Sequence, residues 1–247
     1  MELTDFFKNN KKCALGYSGG VDSAYLLYKA ISLGVDIKPY FIKSAFQTES
    51  ELKSAIDTAE GMGAKVSVIE ADIFSSNNVI NNDKNRCYHC KKHLFSQIIN
   101  AAKKDGYETV IEGTNASDII SDRPGYKAIT ELGVLSPLLL CGVTKDILRC
   151  ELKTAGIDIW DKSSSACLAT RIPCGQLITS ELLNKVKYSE ELLRDLGFND
   201  FRVRIFNNAT RIQLKSEQFA AAMQLRNQIY SGLSRYFDVV LLDLKER

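Results

Sequence analysis

The order of strand-like and helix-like stretches constrains the fold of this chain more than any other feature of its sequence. Short apolar stretches alternate with amphipathic helical patterns through residue 156. Strands are predicted at 13–17, 35–44, 64–71 and 108–115, and helices at 22–33, 50–63, 91–106 and 144–156. This alternation is typical of an α/β fold with a doubly wound parallel sheet. Such sheets bind ligands beyond the carboxyl ends of their strands, so functional residues are expected in the loops that follow strands: 18–23, 44–49, 75–90 and 112–125.

A different pattern follows the stretch "WDKSSSACLATRIPCG" at 160–175. Helices are predicted at 179–197 and 217–235, and strands at 201–206, 210–215 and 238–244. The chain of 247 residues, 45% of them hydrophobic, is long enough for one large domain or two modest ones. We predict a doubly wound domain at 1–164 and a small α+β domain at 165–247, for substrate binding and oligomerisation.

The charge and the cysteine content of the chain limit the cell compartment and the kinds of partner that we expect. The net charge is +2, well below the strong excess of basic residues that is typical of nucleic-acid-binding proteins. No nucleic-acid partner is therefore expected. The sequence has no run of about 18 apolar residues and its N-terminus does not resemble a signal peptide. We therefore expect a cytoplasmic protein with no membrane contact. Seven cysteines in a reducing compartment indicate metal binding, catalysis or burial rather than disulfides.

The stretch "SGGVDS" lies where the first strand becomes a helix, and it consists of Ser18, Gly19, Gly20, Val21, Asp22 and Ser23. A helix N-terminus offers unpaired N–H groups and a partial positive charge, which suit phosphate. The glycines allow close approach, the serines donate hydrogen bonds, and Asp22 is suited to hold Mg²⁺. The alternative is a tight turn with ordinary caps. The stretch matches neither the Walker loop nor the GxGxxG loop of dinucleotide-binding proteins.

"SGGVDS" after a first strand resembles the pyrophosphate loop of the PP-loop ATP pyrophosphatases, which have a HUP-like fold. The resemblance implies that ATP and Mg²⁺ are bound here. It also implies that ATP is cleaved between its α and β phosphates, leaving AMP on an oxygen of the substrate.

Three cysteines in two motifs are the second informative feature of the sequence. "NRCYHCKKHLF" contains Cys87-x-x-Cys90, and "ACLATRIP" contains Cys167. Alone, the pair fits half a zinc site, a redox pair or chance, and no second such pair completes a four-cysteine zinc site. Cys13, Cys141 and Cys150 are expected to be buried, since free cysteine packs like a small hydrophobic residue.

Seven motifs occur in the order found in the LarE family: "SGGVDS", "RCYHCKKHLF", "EGTNASD", "RPGYKA", "SPL", "WDKSSSACLATRIPCG" and "FRVR". The resemblance implies an ATP-dependent sulfurtransferase of nickel-pincer nucleotide biosynthesis. Such enzymes adenylate a carboxylate of pyridinium biscarboxylic acid mononucleotide and convert it to a thiocarboxylate. The resemblance also implies a homo-oligomer, such as a hexamer.

The source of sulfur differs within the family. Some members have a single cysteine, matching Cys167, that gives up its own sulfur and becomes dehydroalanine. Others also match Cys87 and Cys90, and their three cysteines are thought to hold a [4Fe-4S] cluster that carries an extra sulfide. All three are present here, and three thiolates leave one iron open, so the cluster is favoured. The alternatives are a sacrificial Cys167, a PP-loop tRNA thiolase, and a non-catalytic ATP-binding or zinc-binding module.

The resemblance implies roles for further positions, besides the catalytic Cys167 and Asp22. Nucleotide and substrate contacts are expected from Lys43, Ser44, Glu112, Asn115, Asp118, Arg123, Arg171, Arg202 and Arg204. Arginine suits phosphate and carboxylate because it presents a planar fork of donors. Arg202 and Arg204 are two apart on one strand, so they share a face, and they match arginines associated with the substrate phosphate. The alternative for each arginine is a solvated surface charge.

The sequence departs from the family pattern at two places. Cys174 stands where the family usually has tyrosine, and it fits a fourth ligand, a relay thiol or neutral variation. The chain ends at "LDLKER", whereas many members continue with a tail rich in Gly, Tyr and Arg. A contact from that tail is therefore in question here.

Overall fold

The computed structural model describes residues 1–119, 124–163 and 166–247. The chain forms two compact units, and the first consists of Met1–Val79 with Asn85–Ser165. The second consists of Ile80–Lys84 with Ala166–Arg247. The short segment Ile80–Lys84 was not predicted to belong with the C-terminal residues. The predicted boundary, between residues 164 and 165, lies outside the described residues.

The first unit alternates strands and helices, as predicted. Its elements are α1 (Leu3–Asn9), β1 (Lys12–Gly16), α2 (Val21–Ser32), β2 (Asp36–Lys43), α3 (Glu49–Gly61), β3 (Ser67–Glu70), α4 (Asn77–Ile80), α5 (Arg86–Lys104), β4 (Thr109–Ile111), α6 (Pro124–Glu131), α7 (Pro137–Leu140) and α8 (Lys145–Thr154). Ile80, the last residue of α4, already belongs to the second unit. Within the described ranges, no helix is both long and apolar enough to cross a membrane.

The sheet of the first unit has four parallel strands in the order β3-β2-β1-β4. Alternate side chains of the central strand β1 enter opposite cores, with Cys13 and Leu15 on one side and Ala14 on the other. Helices cover both faces, as buried parallel sheets require. The architecture confirms the predicted α/β class with a parallel sheet, and it fits a Rossmann-like fold.

Each face of this sheet is covered by its own helices. Apolar side chains of α1, α2, α3 and α8 form one core, with Leu27 and Leu148 fully buried in it. Helix α5 contributes Phe95 and Ile98 to the other core. Gly16, at the end of β1, makes room for α5, because a Cβ atom there would lie 2.8 Å from the ring of Phe95.

The strand order creates a topological switch point between β1 and β4. From β1 the chain proceeds to β2 and β3, and it then returns to the other side of β1 to form β4. The loops after β1 and β4 therefore leave the sheet in opposite directions and open a crevice between them. Open α/β sheets bind ligands in this crevice.

The prediction of a single polar loop at 75–90 was wrong. Helix α4 lies within it, and α5 begins at Arg86 rather than at residue 91. Cys87 and Cys90 therefore lie near the N-terminus of a 19-residue helix. This end of α5 is exposed or partly exposed, so it carries no apolar stripe from which a helical period could be recognised.

The second unit has a small mixed sheet with helices. Its elements are α9 (Ser180–Asp195), β5 (Arg202–Phe206), β6 (Ala209–Gln213), α10 (Phe219–Gln224), α11 (Arg226–Leu233) and β7 (Val239–Leu242). β5 and β6 are antiparallel, and β7 pairs with β6 in parallel. Val203 and Ile212 face a core that also contains Leu193 and Leu233. The predicted strands are confirmed, and the predicted helix at 217–235 is divided into α10 and α11.

Candidate active site

The loop 18–23 joins the end of β1 to the start of α2, beside the switch point. Gly19 has a φ of 68°, a left-handed conformation that favours glycine. A Cβ atom on Gly19 would lie 2.5 Å from the Cβ atom of Ala55 in α3. Conformation and space therefore both require glycine here, and the loop backbone lies directly against α3.

Two serine hydroxyls hold the shape of this loop. The hydroxyl oxygens of Ser18 and Ser23 lie 3.2 Å apart, and the Ser23 hydroxyl donates to the carbonyl of Gly20 at 3.1 Å. The N–H of Gly20 donates to the hydroxyl of Ser18 at 3.3 Å. Gly20 is the N-cap of α2, and no side chain caps this end of the helix. Val21 is the first helical residue, so the positive end of the α2 dipole points towards any anion bound in the loop.

Asp22 and Asn115 meet across the switch point. The side-chain amide of Asn115 donates to Oδ1 of Asp22 at 3.0 Å. Gly113 brings the two segments together, since a Cβ atom there would lie 3.1 Å from the backbone nitrogen of Ser23. The sequence interpretation placed Asp22 and Asn115 in one site, and the structure brings them into contact.

Burial raises the pKa of Asp22, and the nearby Asp118 carboxylate raises it further. Lys145 opposes this shift from 3.9 Å, and the Asn115 hydrogen bond opposes it as well. The sequence interpretation missed Lys145, which is the first residue of α8. A magnesium ion commonly binds through one or two carboxylates together with substrate phosphates, and the Asp22 and Asp118 carboxylates fit that pattern.

Glu112 organises the loop after β4, and its expected contact with the nucleotide stays a prediction. It is buried and accepts hydrogen bonds from the N–H of Thr114 at 3.0 Å and from its hydroxyl at 2.9 Å. The Ser136 hydroxyl donates to the same carboxylate at 2.5 Å. Asn115 is fully buried, and its N–H donates to the carboxylate of Asp118 at 3.2 Å. These bonds fix the position from which Asn115 reaches Asp22.

Lys43 and Ser44 lie at the carboxyl end of β2, and both are buried. Lys43 forms an ion pair with Glu49 at 2.6 Å, and the Ser44 hydroxyl donates to the side chain of Gln47 at 2.8 Å. These contacts shape the turn that leads from β2 into α3. A direct nucleotide contact from either residue stays a prediction.

Cys87 and Cys90 share one side of α5, because residues three apart on a helix are neighbours. Cys87 is exposed and Cys90 is partly exposed. The Arg86 guanidinium lies 3.6 Å from the sulfur of Cys87, within reach of a weak hydrogen bond. Both thiols are therefore placed where a ligand can reach them. Of the three cysteines expected to be buried, Cys13 is buried and Cys141 is partly exposed, but the expectation was wrong for Cys150, which is exposed on α8.

Cys167 belongs to the second unit and immediately precedes the 3₁₀ turn Leu168–Arg171. Its carbonyl accepts from the N–H and the hydroxyl of Thr170 at 3.0 and 2.8 Å. Across residues 1–119, 124–163 and 166–247, no three His, Cys, Asp or Glu side chains are grouped as a metal site. Binding of one cluster by Cys87, Cys90 and Cys167 stays a prediction, and Arg123 lies outside the described residues.

Arg171 forms a buried ion pair within the second unit. Its guanidinium donates to both carboxylate oxygens of Glu190, at 2.6 and 3.2 Å, and also to Ala166 and Thr170. These contacts use most of the five N–H donors that an arginine has. Glu190 also accepts from the N–H of Val203, so the pair anchors β5. Sequence reasoning missed this role of Glu190, and a substrate or nucleotide contact from Arg171 stays a prediction.

Arg202 and Arg204 lie on the same face of β5, opposite Val203 and the core. Arg204 donates to the side chain of Gln213 and to the carbonyl of Thr170, each at 2.6 Å. Burial and the nearby Arg171 both lower the pKa of Arg204. Arg202 is buried and Arg204 is partly buried. A contact of either guanidinium with the substrate phosphate stays a prediction.

The comparisons with known proteins cover nearly the whole chain. No protein-family model matches it. The uncharacterized protein slr1717 of Synechocystis is 34% identical over 247 residues, 98% of this chain and 92% of that protein. The pyridinium-3,5-bisthiocarboxylic acid mononucleotide synthase of Lactiplantibacillus plantarum is 30% identical over 98% of this chain and 89% of that enzyme. The chain belongs to the LarE family.

A third similar protein is also uncharacterized. The uncharacterized protein MJ0830 of Methanocaldococcus jannaschii is 35% identical over 216 residues, 87% of this chain and 82% of that protein. The similarity to the named LarE enzyme spans both units of the chain, the parallel sheet and the small mixed sheet.

Proposed function

We propose that this chain is an ATP-dependent sulfurtransferase of the PP-loop ATP pyrophosphatase type. It adenylates one carboxylate of pyridinium biscarboxylic acid mononucleotide and converts that carboxylate to a thiocarboxylate. The observation on which the proposal rests is the contact between Asp22 and Asn115 at the switch point, beside a loop whose shape requires glycine. The name of the Lactiplantibacillus relative supports the substrate.

The first step transfers AMP to the substrate. A carboxylate oxygen attacks the α-phosphorus of ATP, the bond from that phosphorus to the bridging oxygen breaks, and pyrophosphate leaves. The N–H groups at the start of α2 and the hydroxyls of Ser18 and Ser23 stabilise the charge of the leaving group. Asp22 and Asp118 would hold Mg²⁺, which when bound neutralises phosphate charge.

The second step replaces AMP with sulfur. A sulfur nucleophile attacks the carbonyl carbon of the acyl adenylate, and AMP leaves. We favour a [4Fe-4S] cluster bound by Cys87, Cys90 and Cys167, which would supply sulfide from outside the chain. If Cys167 is sacrificial, its sulfur first forms a thioester. Loss of its Cα proton and cleavage of its Cβ–Sγ bond then leave the thiocarboxylate and a dehydroalanine.

The second unit would bind the phosphate of the mononucleotide. Arg202 and Arg204 supply guanidinium donors on one face of β5, and arginine suits phosphate through its planar fork. Arg171 supports this face from its ion pair with Glu190. We propose that the protein works as a homo-oligomer, such as a hexamer.

The test of this function is the release of pyrophosphate from Mg-ATP in the presence of pyridinium biscarboxylic acid mononucleotide. We expect Asp22→Ala to lower the rate at least about 100-fold, because the charge that holds Mg²⁺ against the phosphates is lost. The matched control is Asp5→Ala, which removes an exposed carboxylate of α1. Wild-type release by Asp22→Ala would contradict the proposal, and so would release that requires tRNA in place of the mononucleotide.

A further inference from the structure

Lys162 contacts the loop 18–23 from a segment distant in sequence. It follows the 3₁₀ turn Asp158–Asp161, and its Nζ donates to the carbonyl of Gly19 at 3.0 Å. The same Nζ donates to the hydroxyl of Ser54 in α3 at 3.1 Å. One ammonium group therefore ties the loop to α3, next to the Ala55 side chain against which Gly19 packs.

The hydrogen bond from Lys162 orients a whole peptide group and not the Gly19 carbonyl alone. A trans peptide is planar and points its C=O and N–H in opposite directions, so holding the Gly19 carbonyl also orients the N–H of Gly20. That N–H donates to the hydroxyl of Ser18, which in turn lies 3.2 Å from the hydroxyl of Ser23. Lys162 thus stands at the start of a chain of contacts that runs through the loop.

The charge of Lys162 is matched only by neutral acceptors in the part of the chain that the structure describes. Its hydrogen bonds go to a carbonyl and a hydroxyl, and it forms no ion pair there within 4.0 Å. Burial lowers the pKa of Lys162, and the more distant Glu51 only partly opposes this shift. Lys162 is partly buried. A partly desolvated cation without a counter-charge carries a free-energy cost, and an anion in the adjacent loop would supply that counter-charge.

We propose that Lys162 is a positioning residue of the phosphate loop, which holds the Gly19–Gly20 peptide in place and supplies the counter-charge for pyrophosphate. The inference rests on the proposed function of this loop. It predicts that Lys162 stabilises the bound β- and γ-phosphates of ATP, or the free pyrophosphate product. AMP has neither group and should gain little from this residue.

The test compares ligand binding by full-length variants in calorimetric titrations with Mg²⁺, using inorganic pyrophosphate, ATP and AMP as probes. We expect Lys162→Gln to raise the Kd for pyrophosphate about 10-fold or more and the Kd for AMP by less than about 2-fold, since charge-assisted hydrogen bonds are lost only to the former. Lys162→Arg should stay within about 3-fold of wild type, because it keeps the charge and the donors. Lys53→Gln, which neutralises an exposed lysine on α3, is the matched control.

Each outcome of this experiment decides between two conclusions. Selective loss of pyrophosphate binding in Lys162→Gln, with rescue in Lys162→Arg, supports the inference. Equal pyrophosphate affinity in wild type and Lys162→Gln overturns it and leaves the proposed function standing. Equal weakening of both ligands would indicate a general folding defect and also overturns it. No binding of pyrophosphate or ATP by the wild type overturns the proposed function, and the inference with it.

Discussion

At the scale of single residues, Cys167 distinguishes the two sources of sulfur. If a cluster supplies the sulfur, Cys87→Ala, Cys90→Ala and Cys167→Ala should each lose most of the iron of anaerobically purified protein, because two thiolates hold a cluster weakly. Cys150→Ala removes an exposed thiol on α8 and should keep the iron. The measurements are iron and sulfide content, and the mass of the intact protein after turnover.

A sacrificial Cys167 gives the opposite result. Cys87→Ala and Cys90→Ala would stay active, and each protein molecule would react once. Its mass would fall by about 34 Da as residue 167 becomes dehydroalanine, a loss of sulfur that lies beyond the reversible steps of thiol oxidation. Such a mass change in iron-free protein would contradict the cluster.

The sequence allowed the placement of side chains that meet across the sheet edge to be predicted, while their roles in binding stay predictions. Asp22 and Asn115 follow two strands that the sequence identified, and parallel strands bring their carboxyl ends to one edge. Lys162 was missed because its partners are the carbonyl of Gly19, 143 positions away, and the hydroxyl of Ser54. Every residue has a backbone carbonyl, so the sequence does not indicate which carbonyl accepts the hydrogen bond.

At the scale of elements, the close approach of the loop 18–23 to α3 can be isolated with two glycines. Gly19 and Gly34 have nearly the same φ, 68° and 69°, but only Gly19 has a neighbour within 4 Å of its Cβ position. Gly34→Ala should cost about 1–2 kcal/mol, the penalty of the left-handed conformation. Gly19→Ala should cost about 1–3 kcal/mol more, because it also forces Ala55 aside.

Denaturant unfolding of both variants measures this difference, and ATP binding supplies a second readout. Gly34→Ala should bind ATP like wild type, whereas Gly19→Ala should lose most of its binding as the loop moves. Equal unfolding free energies for the two variants would contradict the prediction. They would mean that α3 moves aside at no cost in free energy and that the loop is not packed tightly against it.

Elements were predictable from the sequence where a short run of apolar residues indicates a strand buried on both faces. The strands β1 and β2 lie within apolar stretches, and the sheet buries both of their faces. The start of α5 could not be predicted from the sequence, because this end of the helix is exposed or partly exposed and has no side-chain cap at Asn85. Its position is set by tertiary contacts of later turns, such as Phe95 and Ile98 in the core.

At the scale of the whole molecule, the two units have separate cores, and the Arg171–Glu190 pair belongs to the second. Glu190→Gln should destabilise that unit by about 3–5 kcal/mol, because it leaves a buried guanidinium without its counter-charge. Native-state hydrogen exchange should show faster exchange in α9 and β5 and little change in β1 and α2.

The control for this variant is Glu181→Gln, on the same helix. Glu181 is exposed and pairs with Lys185 at 2.8 Å, so no measurable change is expected from its loss. Equal acceleration of exchange in both units of Glu190→Gln would show that they unfold together, contrary to the prediction.

The contact between Asp22 and Asn115 joins residues 93 positions apart. A protein is made from its N-terminus onwards, so a ribosome finishes the loop 18–23 long before it adds β4 and the residues behind it. Until then the growing chain has strands β1 to β3 but only one wall of the crevice. An arrested nascent chain that ends before residue 115 should therefore fail to retain ATP, and the ability to retain it should appear only after Asn115 has left the ribosome.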